Sequence, residues 1–315
     1  MQVVQAPRAS AILYNLLKSQ ANFNPWLLPA NICPIVPITF FKAGIPFEFV
    51  DISAETLHMD LEQAEGRLER DSYGGVLYAH TYGEPSTPNE FFQRIKSRYP
   101  DLILVDDRCL CVPDLDLPDE LSADVALYST GYAKIVELNF GGYAFLKDGT
   151  PHWPQQLPFD PQAYERIEQG YKLAIQSRAP YTYADSDWLQ TDADLPPWYD
   201  YRQQIEDGMR TSLQHRAAIN EIYADRLPPE IQCPPEYQTW RFNLRLKNKN
   251  EILSAIFASG VFASSHYASL AGIMAPNQCF RAEALANEII NLFNDHHFDL
   301  QKAENVCAVI MENLP

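Results

Sequence analysis

Asp101-Leu-Ile-Leu-Val-Asp-Asp107, then Asp124-Val-Ala-Leu-Tyr-Ser129 running on through Thr130-Gly-Tyr-Ala-Lys134, carry the reading of this chain. Each apolar run has the length of a buried strand and ends in polar residues. The first closes on the carboxylates of Asp106 and Asp107, the second on the Ser129 hydroxyl. Adjacent strand residues point to opposite faces, so only one of the two carboxylates can enter a given site. Lys134 stands five residues beyond Ser129, and Gly141-Gly142 opens a further strand, Gly142–Leu146.

Outward from this segment, strands and helices alternate. Ala9–Gln20, Leu61–Leu68 and Asn89–Tyr99 carry helical apolar spacing, and Pro46–Asp51 and Gly75–Ala79 read as strands. The alternation predicts an α/β fold with a mostly parallel central sheet and helices on both faces. Function in such sheets gathers at the carboxyl ends of the strands. Pro and aromatic residues punctuate the next stretch, around expected helices at Pro161–Arg178 and Tyr201–Arg226. Pro228-Pro229 and Pro234-Pro235 suggest a boundary. Beyond it, Thr239–Leu246 alternates as a strand, and Glu251–Ser259, Arg281–Phe293 and Leu300–Leu314 read as helices, a small α+β domain.

The 315 residues carry 24 Lys and Arg against 41 Asp and Glu, a formal charge of −17, so a basic nucleic-acid footprint is absent. With 46% hydrophobic and 21% charged residues the balance is globular. No run approaches the roughly 20 apolar residues of a bilayer helix, and Met1–Ser10 lacks a signal peptide's apolar core. The 6 cysteines show no zinc spacing and predict reduced thiols in the cytoplasm. His296-His297 reads as a solvated turn without metal, and Asp114, Asp116, Asp119 and Glu120 as an acidic surface loop.

Several motifs, in order, resemble the DegT/DnrJ/EryC1/StrS family of pyridoxal-phosphate-dependent sugar aminotransferases. Ala43-Gly-Ile-Pro-Phe-Glu-Phe-Val-Asp51 is similar to its G-x-x-P-x-F-x-D pattern, and Ala79-His-Thr-Tyr-Gly83 to its V-H-x-Y-G segment. Val105-Asp-Asp107 resembles I-E-D, and Tyr128–Lys134 resembles F-S-F-x-x-x-K, with the glycine pair in register after it. Gly260, His266-Tyr267 and the last helices resemble the family's small domain.

The resemblance implies fold type I, with residues 1–235 as a large cofactor-binding domain (151–235 a divergent connecting region) and 236–315 as a small C-terminal α+β domain. It implies pyridoxal 5'-phosphate as cofactor, with Lys134 joined to its aldehyde, Asp107 on its ring nitrogen, and Ser129 with the backbone of Ile35 and Val36 on its phosphate. A desolvated lysine and a buried carboxylate suit those two tasks. His80, Tyr82 and His266 are candidate substrate contacts; His80 and Tyr82 are equally placed to pack in the core. Glutamate as amino donor, a keto-sugar nucleotide or similar carbonyl compound as acceptor, and a homodimer follow from the same resemblance. Two other readings stay open: a non-catalytic binding protein on the same scaffold, and a sugar dehydratase using the same cofactor.

Overall fold

The strands Gln2–Ala6 (β1), Trp26–Pro29 (β2), Phe47–Val50 (β3), Gly75–Ala79 (β4), Ile103–Asp107 (β5), Val125–Ser129 (β6) and Gly142–Leu146 (β7) form one sheet in the order β1-β7-β6-β5-β4-β2-β3. In this computed structural model, which describes residues 1–117 and 121–314, β2 to β6 run parallel and β7 is antiparallel to both its neighbours. Asp119 and Glu120 of the acidic loop lie outside the described residues. β4, β5 and β7 are buried along their whole length, which is why β4, β7 and the first three residues of β5 are continuous apolar runs rather than alternations.

The two faces of the sheet are covered by different helices. Leu27, Val76, Tyr78 and Leu104 pack with Ala64 and Leu68 of α3 (Leu61–Leu68) and Phe91, Phe92 and Ile95 of α4 (Asn89–Arg98), once α1 (Ala9–Lys18) and α2 (Ile35–Ala43) are set on the other side. Leu28, Leu77, Val105 and Leu127 point to that other side, against Ile12 and Leu16 of α1, Ile38 and Phe40 of α2 and Ile167 of α5 (Pro161–Ser177). By strand alternation Asp107 and Ser129 share this α1–α2 face, and Asp106 takes the opposite one. α2 stops at Gly44, whose φ of 72° makes the left-handed helix end that favours glycine.

A second core lies beyond the long helix α6 (Trp198–Arg226). Phe242–Arg245 (β8), Ala263–Ser264 (β9) and Ile289–Leu292 (β10) form an antiparallel sheet in the order β8-β10-β9. It packs on α7 (Lys249–Ala258) and α9 (Leu300–Asn313), and Ile219, Tyr223 and Leu227 at the end of α6 join the same core. Leu270, Ile273 and Leu285 instead pack into the large core. The helix expected over Arg281–Phe293 is two elements. α8 (Phe280–Ala286) ends at Asn287, and Ile289–Leu292 turns into the central, wholly buried strand of the small sheet. A four-residue run, Ile-Ile-Asn-Leu, fits either state, and pairing on both edges decides it. β1 is a short edge strand held by β7.

β7 meets the start of α1 at a glycine. A Cβ on Gly142 would stand 2.6 Å from Ala9 Cα and closer still to its nitrogen. Gly142→Ala therefore pushes the first turn of α1 off the sheet, and we expect a loss of about 1–3 kcal/mol in urea unfolding. A fully native midpoint would show that the turn can give way.

Candidate functional site

Asp106 and Asp107 leave β5 on opposite faces and meet different surroundings. Asp106 Oδ1 lies 2.7 Å from His80 Nε2, and Oδ2 accepts from Thr87 Oγ1 at 3.0 Å and from Arg108 Nη1 at 3.4 Å. His80 Nδ1 meets the Glu84 carbonyl at 2.5 Å. Both ring nitrogens face acceptors, so both donate and the ring is an imidazolium. Burial alone would lower the His80 pKa; the Cys111 sulfur and the hydrogen-bonded Asp106 outweigh it and raise the pKa to about 10. Burial likewise disfavours the Asp106 charge, but His80, Arg108 and Thr87 prevail and hold its carboxyl below the ordinary range. This is a closed charge network behind the sheet edge.

Asp107 opens forward. It is 8% exposed, its Oδ1 accepts from the Cys109 amide at 3.0 Å, and it lines a cavity of about 560 Å³. Ser129 and Lys134 line the same cavity, so three residues from two strand ends and one loop converge there. The register places them: Asp107 pairs with Leu127 across β5 and β6, and Ser129 with Gly142 across β6 and β7. Cys33 and Cys109 sit beside them, and burial first, then Asp107 in the case of Cys109, raises both thiol pKa values, so neither adds charge.

Lys134 is held by its backbone and not by its amine. The Ala133 amide donates to Glu137 Oε2 at 2.8 Å, and Trp240 Nε1 donates to the Ala133 carbonyl at 2.8 Å. Ala133 itself takes the left-handed conformation at φ 57°. Arg216 Nη2 donates to the Lys134 carbonyl at 3.0 Å, while its Nη1 binds the Trp240 carbonyl at 2.6 Å and Asn294 Oδ1 at 2.5 Å. Among the described residues nothing accepts a hydrogen bond from Lys134 Nζ and no carboxylate pairs with it. A loop fixed from three sides thus presents a free amine to the cavity.

The first turn of α1 faces the cavity that Ser129 lines. Ala9 and Ser10 line the cavity at the first turn of that helix, where N–H groups lack intrahelical partners. Gly142 lets the turn sit directly against the β6–β7 edge. Ile35 and Val36, the expected donors, also line the cavity, but the Val36 amide already donates to the Cys33 carbonyl at 2.9 Å. Ala9, Ser10, Ile35 and Val36 thus share the lining of one cavity.

The substrate candidates separate. His266 lines the cavity, and burial, then the charges of Arg241, Lys134 and Lys172, lower its pKa to about 4, leaving a neutral imidazole. Tyr267 beside it lies parallel to Trp240, with ring centroids 6.1 Å apart, and both face the cavity. His80 touches only a small recess behind Asp107, and its ring is consumed by Asp106 and Glu84. Tyr82 is wholly buried and lines neither space. Of the two openings left by the sequence, core packing and not substrate contact describes Tyr82. His296 and His297 lie on the surface, with His297 Nε2 3.2 Å from Glu137 Oε1.

No protein-family model matches the sequence, and no curated protein matches it. Solved structures match it closely in fold. A DegT DnrJ EryC1 StrS aminotransferase from Brucella abortus superposes with a TM-score of 0.68 at 13% identity, over 99% of this chain and 86% of the other. A sugar aminotransferase from Micromonospora echinospora gives 0.69 at 15% identity, over 99% and 87%. Helicobacter pylori PseC, an aminotransferase of pseudoaminic acid biosynthesis, gives 0.71 at 13% identity, over 99% and 86%. The chain has the fold of these aminotransferases, fold type I, as the motif order implied.

The His80–Asp106 network sets a pH signature. His80 is raised from 6.5 to about 10, so its contribution is whole below about pH 6.5 and is lost as pH rises through 10. Asp106 is lowered, so its contribution is lost as pH falls below the ordinary carboxylate range. Asp106→Asn should cost about 3–5 kcal/mol near pH 6, because it strands a buried imidazolium, and less at pH 10. Denaturant titrations at the two pH values check this, and a cost independent of pH would contradict the charged pair.

Proposed function

We propose that this chain is a pyridoxal 5'-phosphate-dependent aminotransferase acting on a sugar. The observation that carries the reading is the meeting of Lys134, Asp107, Ser129 and the first turn of α1 on one cavity, in the fold of sugar aminotransferases. The residues fit the group. A cavity of about 560 Å³ holds a cofactor with a small substrate beside it. Its donors match a phosphorylated pyridine aldehyde: an unpaired amine, a buried carboxylate, and hydroxyl and N–H groups at a helix start.

When bound, the cofactor supplies an aldehyde that captures amines and a ring that takes up the electrons freed at the substrate carbon. Asp107 holds a proton on the ring nitrogen, a task that its burial and its single amide partner suit. Ser129 Oγ and the Ala9 and Ser10 amides bind the phosphate, where the dipole of α1 favours an anion. Lys134 Nζ takes the proton from the amino donor's α-carbon and later returns one to the acceptor, as general base and acid. Arg216 and Trp240 keep the loop of Lys134 in place while the amine moves. Neutral His266 offers a hydrogen bond to substrate without competing for charge.

Glutamate as amino donor and a keto-sugar nucleotide as acceptor complete the reading, supported by the sugar aminotransferases among the structural neighbours. We also propose a homodimer in the cytoplasm. Tyr132, 73% exposed at the cavity mouth, supports a partner surface there, and the 6 free cysteines support a reducing compartment. Among the described residues no helix is long and apolar enough to cross a membrane.

Purified chain mixed with pyridoxal phosphate should turn yellow, and borohydride should fix the cofactor to Lys134. Lys134→Ala should remain colourless while melting within about 3 °C of the parent, because a half-buried cavity lysine is not core. Glutamate should then bleach the parent toward the aminated cofactor. A colourless parent, or colour retained by Lys134→Ala, would overturn the assignment.

A further inference from the structure

Arg8 breaks a local rule at the edge of the site. It is the residue that caps the start of α1, yet its side chain makes no capping bond. A cation there opposes the helix dipole, which favours negative charge. Among the described residues no carboxylate lies within 4.0 Å of its guanidinium and no group accepts from it. The guanidinium carbon sits 4.9 Å over the Tyr164 ring, and Nε is sealed from solvent without a partner. In a chain of formal charge −17, an unpaired arginine facing a cavity is out of place. Rule-breaking of this kind is expected where function compensates it.

The cavity holds three cations. Lys172 is paired with Glu168 at 3.2 Å, and Lys134 presents its amine to the proposed aldehyde, which leaves Arg8. Its side chain stems from the start of α1, where Ser10 lines the cavity and its amide has no acceptor among the described residues. Arg8 and Ser10 line the same cavity, and a phosphate takes two hydrogen bonds at once from a planar fork of this kind. We propose that Arg8 binds the cofactor's phosphate, with Ala9, Ser10 and Ser129 as its companions. This rests on the cofactor reading above. It assigns to this chain a cationic phosphate ligand that neither the motif resemblance nor the Ser129 position predicts.

Equilibrium binding of pyridoxal phosphate and of pyridoxal, which lacks the phosphate, separates the possibilities. Arg8→Met keeps the apolar stem over Tyr164 and removes the charge. It should weaken pyridoxal phosphate about 10- to 100-fold and leave pyridoxal unchanged, the range of a charged hydrogen-bond pair. Arg8→Lys should fall between, and it carries the test alone should Arg8→Met not fold. Equal loss for both ligands, or no loss, overturns the proposal. So does unchanged cofactor affinity with poorer saturation by glutamate, which would put Arg8 on a substrate acid. If the parent takes up neither ligand, the cofactor reading fails, and inorganic phosphate decides Arg8 separately. A rise in the parent's melting temperature that Arg8→Met lacks supports an anion site; equal responses overturn it.

Discussion

The parallel pairing of β5 with β6, which sets Asp107 opposite Leu127, governs the rest of the site. Because that register is fixed by buried apolar runs on both sides of the sheet, it also fixes which carboxylate faces forward. A slip of one residue would present Asp106 to the cavity and bury Asp107 against His80. The imidazolium of His80 guards against that exchange: it satisfies one acid behind the sheet, so the other is free to serve in front. Two adjacent identical residues thereby acquire different tasks from backbone geometry alone.

Lys134 is positioned by a longer chain of contacts. Its loop hangs from Trp240 and Arg216, and Arg216 is tied in turn to Asn294 beside the small sheet. Burial, and then the nearby Arg241, lowers the Arg216 pKa to about 10, so its charge is kept at a cost that the carbonyls around it offset. The small sheet and α6 thus support the cavity from outside the large core. A shift of α6 against the large sheet would move the amine relative to Asp107.

Much of this was legible from residue order. The apolar runs announced β4, β5, β6 and β7, and the polar residues closing them announced the edge that matters. Lys134, Asp107 and Ser129 share a cavity because strand alternation and loop length, both readable, put them there. The helix start that meets Ser129 was not readable in the same way. Gln2–Ala6 is a five-residue edge strand, whose partner β7 lies some 140 positions away, and no local pattern declares that pairing. Ile35 and Val36, the donors expected from the sequence, face the same cavity, and the Val36 amide donates to the Cys33 carbonyl. The state of Ile289–Leu292 was hidden for a related reason, since a run of four residues takes its state from its neighbours.

On the proposed function, strand ends, loop and helix start surround one phosphorylated ring. A crystal structure of the chain grown with pyridoxal phosphate tests it most directly. Expected are density continuous from Lys134 Nζ into the ring, the ring nitrogen within hydrogen-bond distance of Asp107, and the phosphate on Ala9, Ser10 and Ser129. A phosphate bound elsewhere, or a Lys134 amine turned to solvent beside an empty Asp107, would contradict it.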